Sequence, residues 1–331
     1  MQTHDNGREY RPAWWIPGRH LRTLWRKFIP RHLALPTRME RWDTADGDFL
    51  DLQRLDGAAA APRLLVLHGL EGGPQSHYAR ALLAEAMGRG WAADVLVFRS
   101  CGSEPNRALR SYHSGETSDL AFVVEQLTST EPGRPLILAG VSLGGNVLLK
   151  WLGERQQAVP RAVKGAAALS VPFDLARGSR YLQRGFSRVY QAYFLRSLKR
   201  KALEKSRRFP RDIDATRVPG IRTIYDFDDE ITGPVHGFQD AEDYYSRSSS
   251  IRWLPRIAVP TLLLSARDDP FLPVAVLDEV RSIAAKNPAL EVEFVERGGH
   301  VGFVSGAVPW RPHYYAEWRA ADFLSRCITP R

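Results

Sequence analysis

Cysteine is nearly absent from this chain of 331 residues: only Cys101 and Cys327 occur. A single pair excludes a disulfide framework, so a reducing compartment and a cytoplasmic location are expected. No Cys/His group has zinc-ligand spacing, and no metal is expected. No apolar run approaches the roughly 18 residues that a bilayer span requires. The opening MQTHDNGREYRPAWW lacks the charged-then-apolar order of a secretory signal. Repeats and low-complexity tracts are also missing, apart from the short run Ala58 to Pro62. What is left is an ordinary globular composition, 44% apolar and 25% charged. The length suffices for one large core, or for a core with an insertion.

The net charge of +9 is unevenly spread. Residues 1–41 hold nine Lys/Arg against three Asp/Glu, and residues 177–211 hold twelve against one. The rest of the chain is net acidic. Such asymmetry speaks about surfaces and partners rather than fold. The two basic segments either meet anionic lipid head groups as a peripheral membrane contact or are solvated helix faces. With no recognised binding motif, nucleic acid is not an expected partner.

Strand and helix patterns alternate along most of the chain. Arg38 to Thr44 and Phe49 to Leu55 read as a hairpin around the turn at Asp46-Gly47. The runs Arg63 to Leu67, Ala93 to Phe98, Leu136 to Gly140 and Ala162 to Ser170 read as buried strands. Between them, Tyr78 to Gly88, Ser114 to Thr128 (Ser114 as N-cap) and Leu143 to Arg155 read as helices. This is the rhythm of parallel βαβ units, hence an α/β fold with helices on both faces of a mostly parallel sheet. After Asp174 the rhythm breaks. Phe186, Val189, Tyr190, Tyr193, Phe194 and Leu198 recur at helical spacing with arginines and lysines between them. Residues 174–250 therefore read as a helical cap inserted in a single domain spanning 1–331, with a basic aromatic N-terminal arm over 1–37. Strands at Thr261 to Ser265 and Leu290 to Val295 resume the pattern, with helices at Val274 to Ala285 and from about Pro312 to Arg326.

Within that rhythm, Gly140-Val141-Ser142-Leu143-Gly144 fits G-x-S-x-G at a strand-to-helix junction. A turn that sharp strains the central residue and lifts its side chain above the sheet. The Leu143 N–H and the dipole of the following helix then favour a developing oxyanion. A second donor is expected from the loop His68-Gly69-Leu70-Glu71-Gly72-Gly73, through the Leu70 N–H. This run lacks the spacing and lysine of a phosphate loop. His68 is expected to bond within the loop, and His68 and Gly69 to border the substrate.

A serine hydroxyl needs a histidine to take its proton. His300, in Arg297-Gly298-Gly299-His300-Val301-Gly302-Phe303, follows the last strand; His113 and His236 are rivals outside the expected chain order. The histidine in turn needs a carboxylate. Asp269, just before Pro270-Phe271, is preferred, with Asp268 as the alternative. The chain order Ser142, Asp269, His300 is that of α/β-hydrolases. The cap residues Phe186 and Tyr190, with Tyr193 and Phe194, either line an acyl-chain tunnel or pack against the sheet. The acidic group Asp226, Asp228, Asp229 and Glu230 misses calcium-loop spacing and reads as a structural turn.

On these residues the chain resembles the YheT-like family of α/β-hydrolases, relatives of animal enzymes that act on lipid esters. The resemblance runs through Trp14 to Leu21, His68 to Gly72, Arg110-Ser111-Tyr112-His113-Ser114-Gly115-Glu116-Thr117, Gly140 to Asn146, Phe227-Asp228-Asp229 with His236-Gly237, Asp268 to Phe271, and Gly298 to Phe303. It implies a Ser142–Asp269–His300 triad and an esterase that needs no cofactor, acting on short- to medium-chain or lipid esters. An acyltransferase using the same triad, or an inactive binding protein, are the other readings. One departure stands out: Phe98-Arg99-Ser100-Cys101-Gly102-Ser103-Glu104 has its glycines displaced from the family's F-R-G-C-S-G-E. Arg110, His113 and Glu116 are expected to brace the loop before their helix.

Overall fold

The computed structural model describes residues 9–28 and 33–329. Part of the expected N-terminal arm, residues 1–8 and 29–32, lies outside them. A sheet of eight strands runs through the molecule: β1 (Thr37–Asp43), β2 (Phe49–Leu55), β3 (Arg63–Leu67), β4 (Ala92–Val97), β5 (Leu136–Val141), β6 (Val163–Leu169), β7 (Thr261–Ala266) and β8 (Leu290–Val295). The spatial order is β1-β2-β4-β3-β5-β6-β7-β8. β1 and β2 pair antiparallel, β2 joins β4 antiparallel, and the remaining pairs are parallel.

Burial explains the strand sequences. β3, β4, β5 and β7 are covered on both faces, and they read as near-continuous apolar runs. β1 is an edge strand, largely exposed and polar, which discourages pairing with another chain. Helices α2 (His77–Gly88), α3 (Ser118–Thr130) and α4 (Leu143–Arg155) are the crossovers. One apolar cluster gathers α3 and α4 with one face of the sheet, and a second gathers α2 and the C-terminal helix Tyr315–Ile328 with the other.

Two boundaries move from expectation. The third helix begins at Ser118 with Thr117 before it, not at Ser114. The Ser114 N–H donates to Tyr244 Oη at 2.9 Å instead, and Glu116 accepts from the Ser118 N–H at 2.7 Å, so the residues ahead of the helix are held in a turn. The last helix starts at Tyr315 rather than Pro312, because His313 and Tyr314 pair as a short strand with Val304 and Ser305.

Between β6 and β7 there is no strand. That stretch holds α5 (Leu175–Leu182), α6 (Ser187–Ser206), the helix Ala241–Ser248 and several single turns. α1 (Gly18–Phe28) reaches the same side of the molecule: Lys27 Nζ lies 3.6 Å from the centroid of the Tyr193 ring on α6.

Candidate active site

Ser142 stands between β5 and α4 with φ +53° and ψ −120°, the strained turn that lifts a side chain clear of a sheet. The turn depends on glycine. A Cβ on Gly144 would come within 2.5 Å of the Leu67 and His68 carbonyl oxygens, and one on Gly140 within 2.5 Å of the Gly144 carbonyl. Beside the serine runs the Gly69-Leu70 loop: a Cβ on Gly69 would sit 3.2 Å from Ser142 Cβ. Leu143 is the first residue of α4, so its N–H has no partner within the helix.

His300 closes on the serine from the loop after β8. Its Nε2 lies 3.0 Å from Ser142 Oγ, and its Nδ1 lies 2.8 Å from Asp269 Oδ2. A proton on Nδ1 donates to the carboxylate and leaves Nε2 free to accept from the hydroxyl. Asp269 is buried, and its other oxygen accepts from the Phe271 N–H at 2.8 Å. Asp268 has separate work. Its Oδ1 accepts from the N–H groups of Gly298 and Gly299, at 2.7 and 2.8 Å, and its Oδ2 faces Arg22 at 3.5 Å. One aspartate thus contacts the imidazole while its neighbour shapes the loop that carries it.

Further groups fix that loop. The His300 N–H donates to Thr23 Oγ1 on α1 at 2.9 Å, and the Val301 N–H donates to Ser170 Oγ at 3.0 Å. Phe271 stacks on the imidazole with centroids 4.0 Å apart. Val301 and Phe303 have positive φ, as do Ser170 and Glu71. Backbone strain therefore concentrates around the serine, as it does at functional sites.

The other expected residues fall in different places. His68 is fully buried beneath its loop; Nδ1 is 2.8 Å from the Gly69 carbonyl, and Nε2 accepts from the Phe98 N–H at 3.1 Å. Burial pushes its pKa down to about 4, so it is neutral and structural. It does not face the cavity above Ser142, whereas Gly69, Leu70, Leu143 and Tyr190 do. Phe186 stands outside that cavity, half exposed against His20 and Tyr190. The predicted α6 stripe therefore divides: Tyr190 turns inward, while Phe186, Val189 and Tyr193 remain exposed.

His113 and His236 pack on each other, centroids 4.6 Å apart, at the seam between the Arg110–Thr117 segment and the helical region. Burial lowers the pKa of both. His236 Nε2 meets the Ser111 backbone, and its Nδ1 lies 2.8 Å from the Thr232 carbonyl. Arg110 pairs with Glu116 and Asp119 at 3.0 Å each. In the displaced-glycine loop, Ser100 takes φ +66° where the family pattern has glycine, and Asn106 Oδ1 accepts its N–H at 2.7 Å. The acidic group is spent on internal bonds: Asp226 forms a capping box with Thr223, Asp228 accepts from Tyr245 and Thr232, Asp229 accepts from the Ala241 N–H, and Glu230 pairs with Arg217.

Sequence reasoning gave no role to Thr23, Phe271 or Lys201. Lys201 of α6 lies 2.7 Å from Glu71 Oε1, and Ser197 and Tyr112 also donate to that carboxylate. The signal for Thr23 was its nearness to the Trp14 to Leu21 motif, but no spacing rule predicts a contact made across 277 residues.

The strained serine on a strand-to-helix turn of a mostly parallel sheet, facing a histidine from beyond the last strand, defines the α/β-hydrolase class. The alpha/beta hydrolase fold family matches residues 62–307. YheT of Escherichia coli, an esterase in name, is 40% identical over 92% of this chain and 90% of its own length. Phospholipase ABHD3 of Mus musculus is 30% identical over 91% of this chain and 74% of its own. The chain belongs to the YheT-like family of α/β-hydrolases. Among solved structures, an esterase of Pyrococcus furiosus shares the fold at a TM-score of 0.58 and 16% identity, covering 91% of this chain and 97% of that one. No helix of the described residues is long and apolar enough to cross a membrane.

Proposed function

We propose that this protein hydrolyses carboxylic esters through an acyl-Ser142 intermediate, with lipid esters as its substrate class. The observation that carries the reading is the unbroken contact from Asp269 through His300 to Ser142 at a strained turn. In this mechanism His300 Nε2 takes the Ser142 proton as Oγ attacks the ester carbonyl. Asp269 stabilises the imidazolium through Nδ1. The Leu70 and Leu143 N–H groups hold the tetrahedral oxyanion; one such donor is typically worth about 2.7–4 kcal/mol. His300 returns the proton to the leaving alcohol. It then draws a proton from water, which attacks the acyl-serine; as the acyl–Oγ bond breaks, the imidazolium returns that proton to Ser142 Oγ and the acid leaves.

The lipid assignment rests on the space above Ser142. A cavity of about 1420 Å³ extends from Ser142 and His300 under the helices between β6 and β7, with Leu182, Phe194, Leu198, Ile231 and Val235 on its walls. That exceeds the usual 300–1,000 Å³ of a small-ligand site and suits a flexible acyl chain. Residues 174–250 act as the cap over this cavity, and the described part of the arm over 1–37 supports the His300 loop through Thr23. The names of the relatives point the same way: an esterase, a phospholipase, and a yeast protein named as a monoacylglycerol lipase at 31% identity.

The test is turnover of p-nitrophenyl esters of graded chain length by wild type and by Ser142→Ala. The variant is expected to fold and to lose hydrolysis at every length. Undiminished turnover by Ser142→Ala contradicts the proposal.

A further inference from the structure

α1 and α6 meet beside the cavity mouth, and their outward faces share an unusual composition. Phe28 is 69% exposed, Tyr193 57% and Val189 55%, yet all three also border the cavity that holds Ser142. They are therefore its rim. Leu21 continues the α1 side one helical repeat back, on the face of Leu24 and Phe28, and Phe186 continues the α6 side. Lys27 over the Tyr193 ring joins the two. Exposed apolar side chains gathered this way mark an interaction site rather than ordinary surface.

The cations of α5, α6 and the turn between them fall into two groups. Arg177 and Arg180 of α5 pair with Asp174, Glu279 and Glu242. Lys201 pairs with Glu71, and Lys205 is bound by the carbonyls of Ala108, Leu109 and Arg110. By contrast Arg184, Arg188, Arg196 and Arg200 are exposed, and among the described residues none has a carboxylate within ion-pair distance. Arg196 and Arg200 stand one turn apart on α6, and Arg188 lies near its start, about 120° around the helix from Arg200. Residues 177–211 hold twelve Lys/Arg against one Glu, and uncompensated like charge costs stability through self-repulsion, which an external anion relieves.

We propose that this rim docks the protein on an anionic lipid bilayer, with the arginines among the head groups and Phe28, Leu21, Phe186, Val189 and Tyr193 at the acyl boundary. A polyanion such as nucleic acid satisfies the arginines but not the apolar rim; a bilayer satisfies both. Docked this way, the cavity opens directly onto the membrane. The surface does not depend on the chemistry assigned to Ser142, and Ser142→Ala is expected to bind vesicles like wild type.

The test is co-sedimentation of the full chain with vesicles of phosphatidylcholine alone and with about one-third phosphatidylglycerol. Strong preference for the anionic vesicles is expected, weakening with salt. The triple variant Arg184→Gln/Arg188→Gln/Arg196→Gln should lower the partition coefficient by about 100-fold, since each cation near an anionic surface contributes about fivefold. Leu21→Ser should lower it by about tenfold through lost apolar insertion. Both variants should retain turnover of a water-soluble short-chain ester, which shows that they fold. Equal binding to both vesicle types overturns the proposal, as does anionic binding undiminished in the triple variant. So does binding that Leu21→Ser leaves untouched while duplex DNA displaces it, which marks a general polyanion surface.

Discussion

The His300 backbone N–H donates to Thr23 Oγ1 at 2.9 Å, so the candidate base is tied to a helix 277 residues earlier in the chain. Thr23 itself donates to the Arg19 carbonyl at 2.8 Å, which fixes the direction of its lone pairs. Thr23→Val keeps the shape and removes the acceptor. One net hydrogen bond is worth about 1 kcal/mol, so kcat should fall about fivefold with KM little changed. Thr23→Ser should restore most of the loss. Steady-state kinetics on a short-chain ester checks this; equal loss in both variants would show that shape rather than the hydrogen bond matters.

Asp268 and Asp269 are neighbours with separable effects. Asp269→Asn removes the group that holds the imidazole tautomer, and kcat should fall by about 10³–10⁴-fold with stability nearly kept. Asp268→Asn keeps the contact to His300 but weakens the grip on the Gly298 and Gly299 N–H groups. It should cost about 2 kcal/mol of stability and a much smaller share of activity. Urea unfolding measured alongside turnover separates the two; reversed roles would move the catalytic acid to Asp268.

These neighbours also show how far the sequence was legible. Strand-helix alternation and the G-x-S-x-G turn are local signals, and they placed the sheet and Ser142. The aspartate before a proline was legible because a rule about loops covers it. Thr23 and Phe271 were not, since each touches His300 through tertiary packing. The α6 stripe misled for a related reason. Helical spacing gives the period of a face but not its direction: it puts Phe186 with Tyr190, yet of the two only Tyr190 reaches the cavity. His68 lies at the end of a strand where either orientation was open, and Phe98 and Gly69 draw it under the loop.

Gly144 offers a stability test of the turn. An added methyl would lie 2.5 Å from two backbone carbonyl oxygens, and backbone cannot step aside as a flexible side chain does. Gly144→Ala should destabilise the fold by about 3 kcal/mol, at the upper end of ordinary overpacking costs. Chemical denaturation gives the number, and a change under 1 kcal/mol would mean that the turn is looser than described.

Asp228 sets a pH dependence. It is buried between Tyr245 and Thr232, and burial raises its pKa from 3.8 to about 7. Between those values the folded state holds a proton that the unfolded state has released. Its stabilising effect is complete below about pH 4 and is lost as pH rises through 7. Asp228→Asn removes the penalty on the charged form. The variant should exceed wild type by about 2–4 kcal/mol at pH 8, with the difference shrinking toward zero near pH 4. Urea midpoints at four pH values test this, and a difference independent of pH would contradict it.

The most direct measurement of the central claim is mass spectrometry of the full chain after reaction with a fluorophosphonate probe, with ester turnover followed in parallel. The account predicts one adduct, on Ser142, forming as activity disappears, and at least 100-fold slower in His300→Ala. An adduct on another residue, or full activity in protein wholly modified at Ser142, would contradict it.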